Sequence, residues 1–100
     1  MKYTVLLSTA AEGELEEAYQ WLAEQTPQHS VAWYNEFLDA LYSLEHSPAR
    51  CPRAAESADS GGEVRVLLFG HKRHAYRILF TVRDDAVLVL HLRHAARLRG

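Results

Sequence analysis

The chain opens with Lys2 to Ser8 (KYTVLLS), a short, apolar and β-branched run that stops at Ser8-Thr9 and predicts a first strand. The period then changes. Ala11, Leu15, Ala18, Tyr19 and Leu22 recur at helical spacing while Glu14, Glu16, Glu17, Gln20 and Glu24 fall on other faces, so an amphipathic helix with an acidic exterior follows. Thr9 and Glu12 have the spacing of a capping box, with the threonine as N-cap. Thr26-Pro27 ends this helix and starts another, because proline fits the first helical turn where its missing N–H costs nothing. Trp33, Tyr34, Phe37, Leu38, Leu41 and Leu44 give the second helix a wide apolar face, and the run stops at His46-Ser47-Pro48. So short a connection predicts an antiparallel helical hairpin. Trp21, Trp33, Tyr34 and Phe37 are expected to fill the core and the helix pair.

Pro48 to Gly62, rich in proline, serine and glycine, reads as the one long loop. Loops of that length usually bind something or move. After it, Val64–Phe69 reads as a strand, Gly70-His71-Lys72 as a connection, Arg73–Arg83 as a longer strand, and Asp84-Asp85 as a tight turn before a last strand, Ala86–Arg93. A two-residue turn pairs Arg83 with Ala86; regular counting then sets Ile78 opposite His91 and Arg77 opposite Leu92. Alternation places Tyr76, Ile78, Phe80, Val82, Val87, Val89, His91 and Arg93 on one side, and Arg77, Leu79, Thr81, Arg83, Leu88, Leu90 and Leu92 on the other. One side is expected under the helices, the other partly open with arginines at its margins. The predicted fold is α+β: a helical hairpin packed on one face of a small, mostly antiparallel four-stranded sheet, order β-α-α-β-β-β, in a single domain spanning residues 1–100.

Composition agrees with one compact core, at 48% hydrophobic residues in 100. No apolar run approaches the roughly 18 residues of a membrane helix, and no signal-peptide pattern precedes the first strand, so a cytoplasmic location is expected. Charge changes the picture more. Residues 1–63 carry 3 Lys/Arg against 11 Asp/Glu, whereas residues 64–100 carry 8 against 2, a split that the net charge of −2 conceals. The basic third is also the strand-rich third, and arginines mounted on a sheet suit an anionic partner.

The candidate chemistry follows from that basic third. Arg65, Arg77 and Arg97 can each grip phosphate bidentately and stay charged at any working pH, and His91 or His94 can move a proton near neutrality. Arg77 has a plainer alternative in an acidic group on the helices or the loop. Arg93, His94 and Arg97, at and beyond the end of the last strand, are expected to be exposed and suited to an interface, while Tyr76 is expected to pack. His71-x-x-His74 and His91-x-x-His94 have the spacing of metal ligands, but residues three apart on a strand face opposite ways and no neighbouring cysteine or carboxylate completes a set. Neither a metal nor a cofactor is expected. Cys51 stands alone, can make no internal disulfide, and reads as structural.

Tyr76-Arg77-Ile78-Leu79-Phe80, followed at this spacing by His91-x-Arg93-His94-x-x-Arg97, resembles the RelE/ParE toxin superfamily, the toxin halves of bacterial type II toxin–antitoxin pairs, which include plasmid stabilisation proteins. The resemblance covers essentially the whole chain, including Ser8, the aromatic second helix and Arg50-Cys51-Pro52. It implies one of two activities. RelE-like members cleave messenger RNA on the ribosome, and ParE-like members inhibit DNA gyrase; in both, a cognate antitoxin wraps and silences the toxin. By resemblance, Arg65 stands where the nuclease branch has a basic residue, Arg77 matches its catalytic strand arginine, and Arg97 matches the arginine past the last strand. Leu67 replaces a lysine found in some nucleases, and their C-terminal tyrosine has no counterpart. These departures favour a ParE-like gyrase inhibitor, with Arg65, Arg77, Arg93, His94 and Arg97 meeting the target or the antitoxin. A RelE-type nuclease using Arg65, Arg77, Arg97, His91 and His94 is the alternative, and a non-toxic binding domain on the same fold is the third.

Overall fold

Strand β1 (Thr4–Leu7) leads into helices α1 (Thr9–Gln25) and α2 (Pro27–Tyr42), and three strands follow, β2 (Arg65–Phe69), β3 (Tyr76–Arg83) and β4 (Ala86–His94). These elements are taken from a computed structural model, which describes residues 2–57, 62–70 and 75–94. The α+β arrangement is the one expected. The sheet is ordered β1-β4-β3-β2, with β1 parallel to β4 and the other pairs antiparallel. No helix among the described residues is long and apolar enough to cross a membrane.

Both helices lie on one sheet face. Ala11 and Leu15 of α1, Phe37 and Leu41 of α2, and Ile78, Phe80, Val87, Val89 and Leu92 of the sheet are buried together with Leu44 and Cys51. Trp33, Phe37, Phe69 and Tyr76 make edge-on or tilted ring contacts, with centroids 5.0 to 6.0 Å apart, at one end of this core. Tyr76 therefore packs, as expected, whereas Trp21 is 45% exposed and does not belong to this core. Burial pushes the Cys51 thiol up from its ordinary value, against the lowering fields of Arg50 and Arg65.

Two local expectations are corrected. The N-cap of α1 is Ser8 rather than Thr9: the Ala11 N–H donates to Ser8 Oγ at 3.0 Å, and the Ser8 hydroxyl donates in turn to the Leu90 carbonyl at 2.8 Å. Serine one residue earlier closes the first turn and ties it to the sheet, so threonine becomes the first helical residue. Helix α2 ends at Tyr42, and a 3-10 turn, Ser43–Glu45, carries the chain on to the left-handed Ser47 (φ 49°). Arg50 seals that corner by donating to the His46 and Ser47 carbonyls.

The sheet register holds the consequential correction. Asp84-Asp85 is the two-residue turn, with Asp84 at φ 56°, and Arg83 pairs with Ala86 as expected. Between Leu79 and Phe80 the register then slips: Phe80 faces Val89, Leu79 faces His91, and Leu90 is the extra residue of a β-bulge on β4. Beyond the bulge the faces exchange. Leu92 enters the core opposite Ile78, while His91 and Arg93 turn to the open face beside Leu79 and Arg77.

Replacing Ser8 with alanine is expected to cost about 1–2 kcal/mol, because it removes a cap and a tie to β4 together, whereas Thr9→Ala is expected to cost less than about 0.5 kcal/mol. Urea denaturation of the two variants checks the assignment.

Candidate functional site on the open sheet face

The face away from the helices is built in rows across the strands. Leu68, Arg77 and Arg93 form one row, and Val66, Leu79 and His91 the next. Leu6, Leu88 and Thr81 form a third toward the β1 edge. Residues 51–57 pack over the β2 side of this face. The N–H of Ala54 donates to the Val64 carbonyl at 2.7 Å, and that of Val66 to the Pro52 carbonyl at 3.0 Å, so the segment acts as a short strap along the edge of β2. The predicted long loop is thus anchored over its first part, and Ala54, Val64 and Leu79 form a small second core beneath it. Ser57 secures its far end by accepting from the Val64 N–H at 2.9 Å.

Arg77 is held by this strap. Its guanidinium donates in parallel to both carboxylate oxygens of Glu56, at 2.7 and 3.0 Å, and its side chain is 17% exposed. Such a fork has the geometry in which an arginine grips carboxylate or phosphate. The hydrogen bond from Arg77 holds the Glu56 carboxyl below its ordinary value of 4.5, Arg93 adding a weaker field in the same direction, and the same bond raises Arg77. Arg93 stands directly across from Arg77, an exposed cation with no hydrogen bond among the described residues. Like charges facing across a ladder repel, and Glu56, bonded to Arg77 and within the field of Arg93, offsets that repulsion.

Between these charges and α1 lies an apolar groove of about 390 Å³, lined by Ser8, Ala10, Val64, Leu79 and Leu90 and edged by Glu56, His91 and Arg93. His91 is fixed from the helix side: its Nδ1 lies 3.3 Å from Glu14 Oε2, while Glu14 Oε1 accepts the Leu92 N–H at 2.8 Å. A carboxylate that orients one ring nitrogen of a histidine leaves the other for a partner or a proton. Leu68, Leu6 and Leu88 add exposed apolar surface to the same sheet face.

The remaining predicted residues lie elsewhere. Arg65 pairs with Phe80 on the helix side of the sheet, opposite in face to Arg77, and is consumed locally: it donates to Glu63 Oε1 at 3.1 Å and to the carbonyls of Ala49 and Cys51. His94 belongs to β4 and sits edge-on to Tyr76 at 4.9 Å, on the opposite face from His91. Arg97, His71 and His74 lie outside the described residues. The acidic partner in the loop that the sequence allowed for Arg77 is Glu56, though that residue was not singled out, and Glu14 as the partner of His91 was missed. Glu14 was legible only as one of several helix acids, and nothing in the loop marked Glu56.

The molecule is thus an α+β fold, a helical hairpin on a four-stranded mixed sheet, with arginines and an apolar groove on the uncovered side. The family described as the ParE toxin of the type II toxin-antitoxin system, parDE, matches residues 5–99, and the chain belongs to it. Among solved structures it is similar in fold to a chain of the "Chromosomal ParDE TA system from P. aeruginosa", with a TM-score of 0.74 at 15% identity, covering 93% of this chain and 96% of that one. No curated protein matches.

The Arg77–Glu56 pair sets a pH dependence. Because the Glu56 carboxyl is depressed in the folded state, its contribution to stability is complete above about pH 4.5 and is lost as pH falls through the depressed value. Glu56→Gln is expected to cost no more than about 1 kcal/mol at neutral pH, the carboxylate being more than a third exposed. The difference from the native chain should close as the pH is lowered through that depressed value, in chemical denaturation run at stepped pH.

Proposed function

We propose that this chain acts as a growth-inhibiting toxin by binding DNA gyrase, and that a cognate antitoxin silences it by laying an acidic amphipathic segment across the open sheet face. The single observation that carries this reading, beside the family, is the dispersal of the arginines. Arg65 and Arg77 stand on opposite faces of the sheet, each engaged by a neighbouring carboxylate, so they do not converge on one phosphate. An enzyme that cleaves RNA needs cations gathered about one phosphorus; a binding protein needs only a surface.

The antitoxin reading rests on charge and shape together. Arg93 is exposed and lies beside the groove, and Leu68 is 63% exposed in the same row as Arg77 and Arg93. Apolar side chains flanked by paired guanidinium groups match a segment that carries leucine-like and acidic residues in turn. The acidic exterior of α1 then serves solubility and keeps the anionic segment on the sheet side.

A second reading, ribosome-dependent cleavage of messenger RNA, draws support from one feature: the Glu14-oriented His91 shares a face with Arg77 and Arg93. Its proton-transfer group and two cations are then His91, Arg77 and Arg93, with Arg65 omitted.

Purified toxin is expected to abolish supercoiling by gyrase at modest molar excess and to leave translated messages uncut. Unaffected supercoiling at large excess overturns the gyrase reading. Codon-phased cuts that vanish in both Arg93→Ala and His91→Ala would establish the second reading in its place.

A further inference from the structure

Glu56 does more than neutralise Arg77, because it also forms one wall of the groove. Its carboxylate occupies both donor positions on the guanidinium edge, in the fork that an incoming carboxylate needs. It belongs to the strap, whose backbone is tied to β2 at Ala54 and Val66, whereas Glu56 is tied to the sheet through its side chain and is 38% exposed. A group so placed is reachable from solvent and can exchange for another anion without unmaking the strap's backbone bonds. Arg93, across the ladder from Arg77, supplies the cation that such an anion meets first.

We propose that Glu56 is an internal competitor for the anionic group of the docking antitoxin: it occupies Arg77 in the free toxin, and a carboxylate of the partner displaces it, entering past Arg93 as an apolar side chain fills the neighbouring groove. The inference rests on the preceding reading that the open face receives the antitoxin. Exchanging one carboxylate for another on the same guanidinium yields little net energy, so the pair contributes selectivity more than strength. A partner that brings an apolar residue without an acid leaves Arg77 with Glu56 and gains only the groove. One that brings the acid in the right place gains Arg93 as well, and releases the strap side chain.

The test measures binding of full-length toxin to the antitoxin encoded beside its gene, by surface plasmon resonance. Glu56→Gln is expected to tighten binding about fivefold, the equivalent of removing one competing, partly exposed charged pair of about 1 kcal/mol. The tightening should disappear when Arg77 is already Gln, since the competitor then has nothing to hold. Glu63→Gln, which removes a nearby carboxylate paired with Arg65 instead, is expected to change affinity less than about threefold and controls for general repulsion. Thermal melts of each variant confirm that it is folded.

The outcomes separate. If Arg77→Gln and Arg93→Gln weaken binding at least about tenfold while Glu56→Gln changes nothing, the face reading stands and the competitor role fails. If neither arginine matters, the antitoxin docks elsewhere and the preceding reading fails. Equal tightening by Glu56→Gln with and without Arg77, or tightening toward a single-stranded oligonucleotide but not toward the antitoxin, also overturns the proposal.

Discussion

One extra residue in β4 decides what the open face contains. Without the bulge at Leu90, regular alternation sends Leu92 outward and His91 and Arg93 inward against α1, α2 and their aromatic cluster. A guanidinium there would be buried without a partner, and the core would lose a leucine opposite Ile78. The bulge resolves both at once. It can exist because α1 takes up the backbone of β4 beyond the end of β1: Ser8 donates to the Leu90 carbonyl and Glu14 accepts the Leu92 N–H. A disrupted ladder needs its polar groups satisfied elsewhere, and here two side chains from one helix substitute for the missing strand.

The same helix therefore carries two roles often assigned to different elements. Its apolar face supplies Ala11 and Leu15 to the core, and its N-terminal region supplies the ties that hold the bulge and orient His91. The opposite margin of the face is governed by the strap. Arg77 and Glu56 join sheet and strap 21 residues apart in sequence, over a small apolar layer of Ala54, Val64 and Leu79. The groove lies between these two supports, so its width depends on the bulge at one side and on a single ion pair at the other.

Much of the fold was legible because its signals are local. Period changes at Ser8-Thr9, Thr26-Pro27 and Asp84-Asp85 mark the principal boundaries, and the apolar positions of both helices, Trp21 apart, identify the buried faces. The bulge was not legible, since Leu90-His91-Leu92 satisfies regular alternation as well as it satisfies the observed slip, and the deciding contacts come from Ser8 and Glu14, about eighty residues away. The site suffered for the same reason. Arg77 and Arg93 stood out as arginines on strands, but which faces they shared depended on the slip; Arg65 looked equivalent to Arg77 until pairing with Phe80 put it on the other side. Glu56 lay in a stretch whose composition says only loop.

The parallel pairing of β1 with β4 places the first strand against the last, with β3 beyond it. Ser8 and Glu14 likewise reach contacts that do not exist until Leu90 and Leu92 have been synthesised. A chain emerging from the ribosome can form its helical hairpin early, yet it can neither close the sheet nor set the bulge until nearly all of it is out. The open face is thus the last surface to be assembled, and a nascent or truncated copy lacks it. Any partner of this face can therefore engage it only after the first strand has met the last.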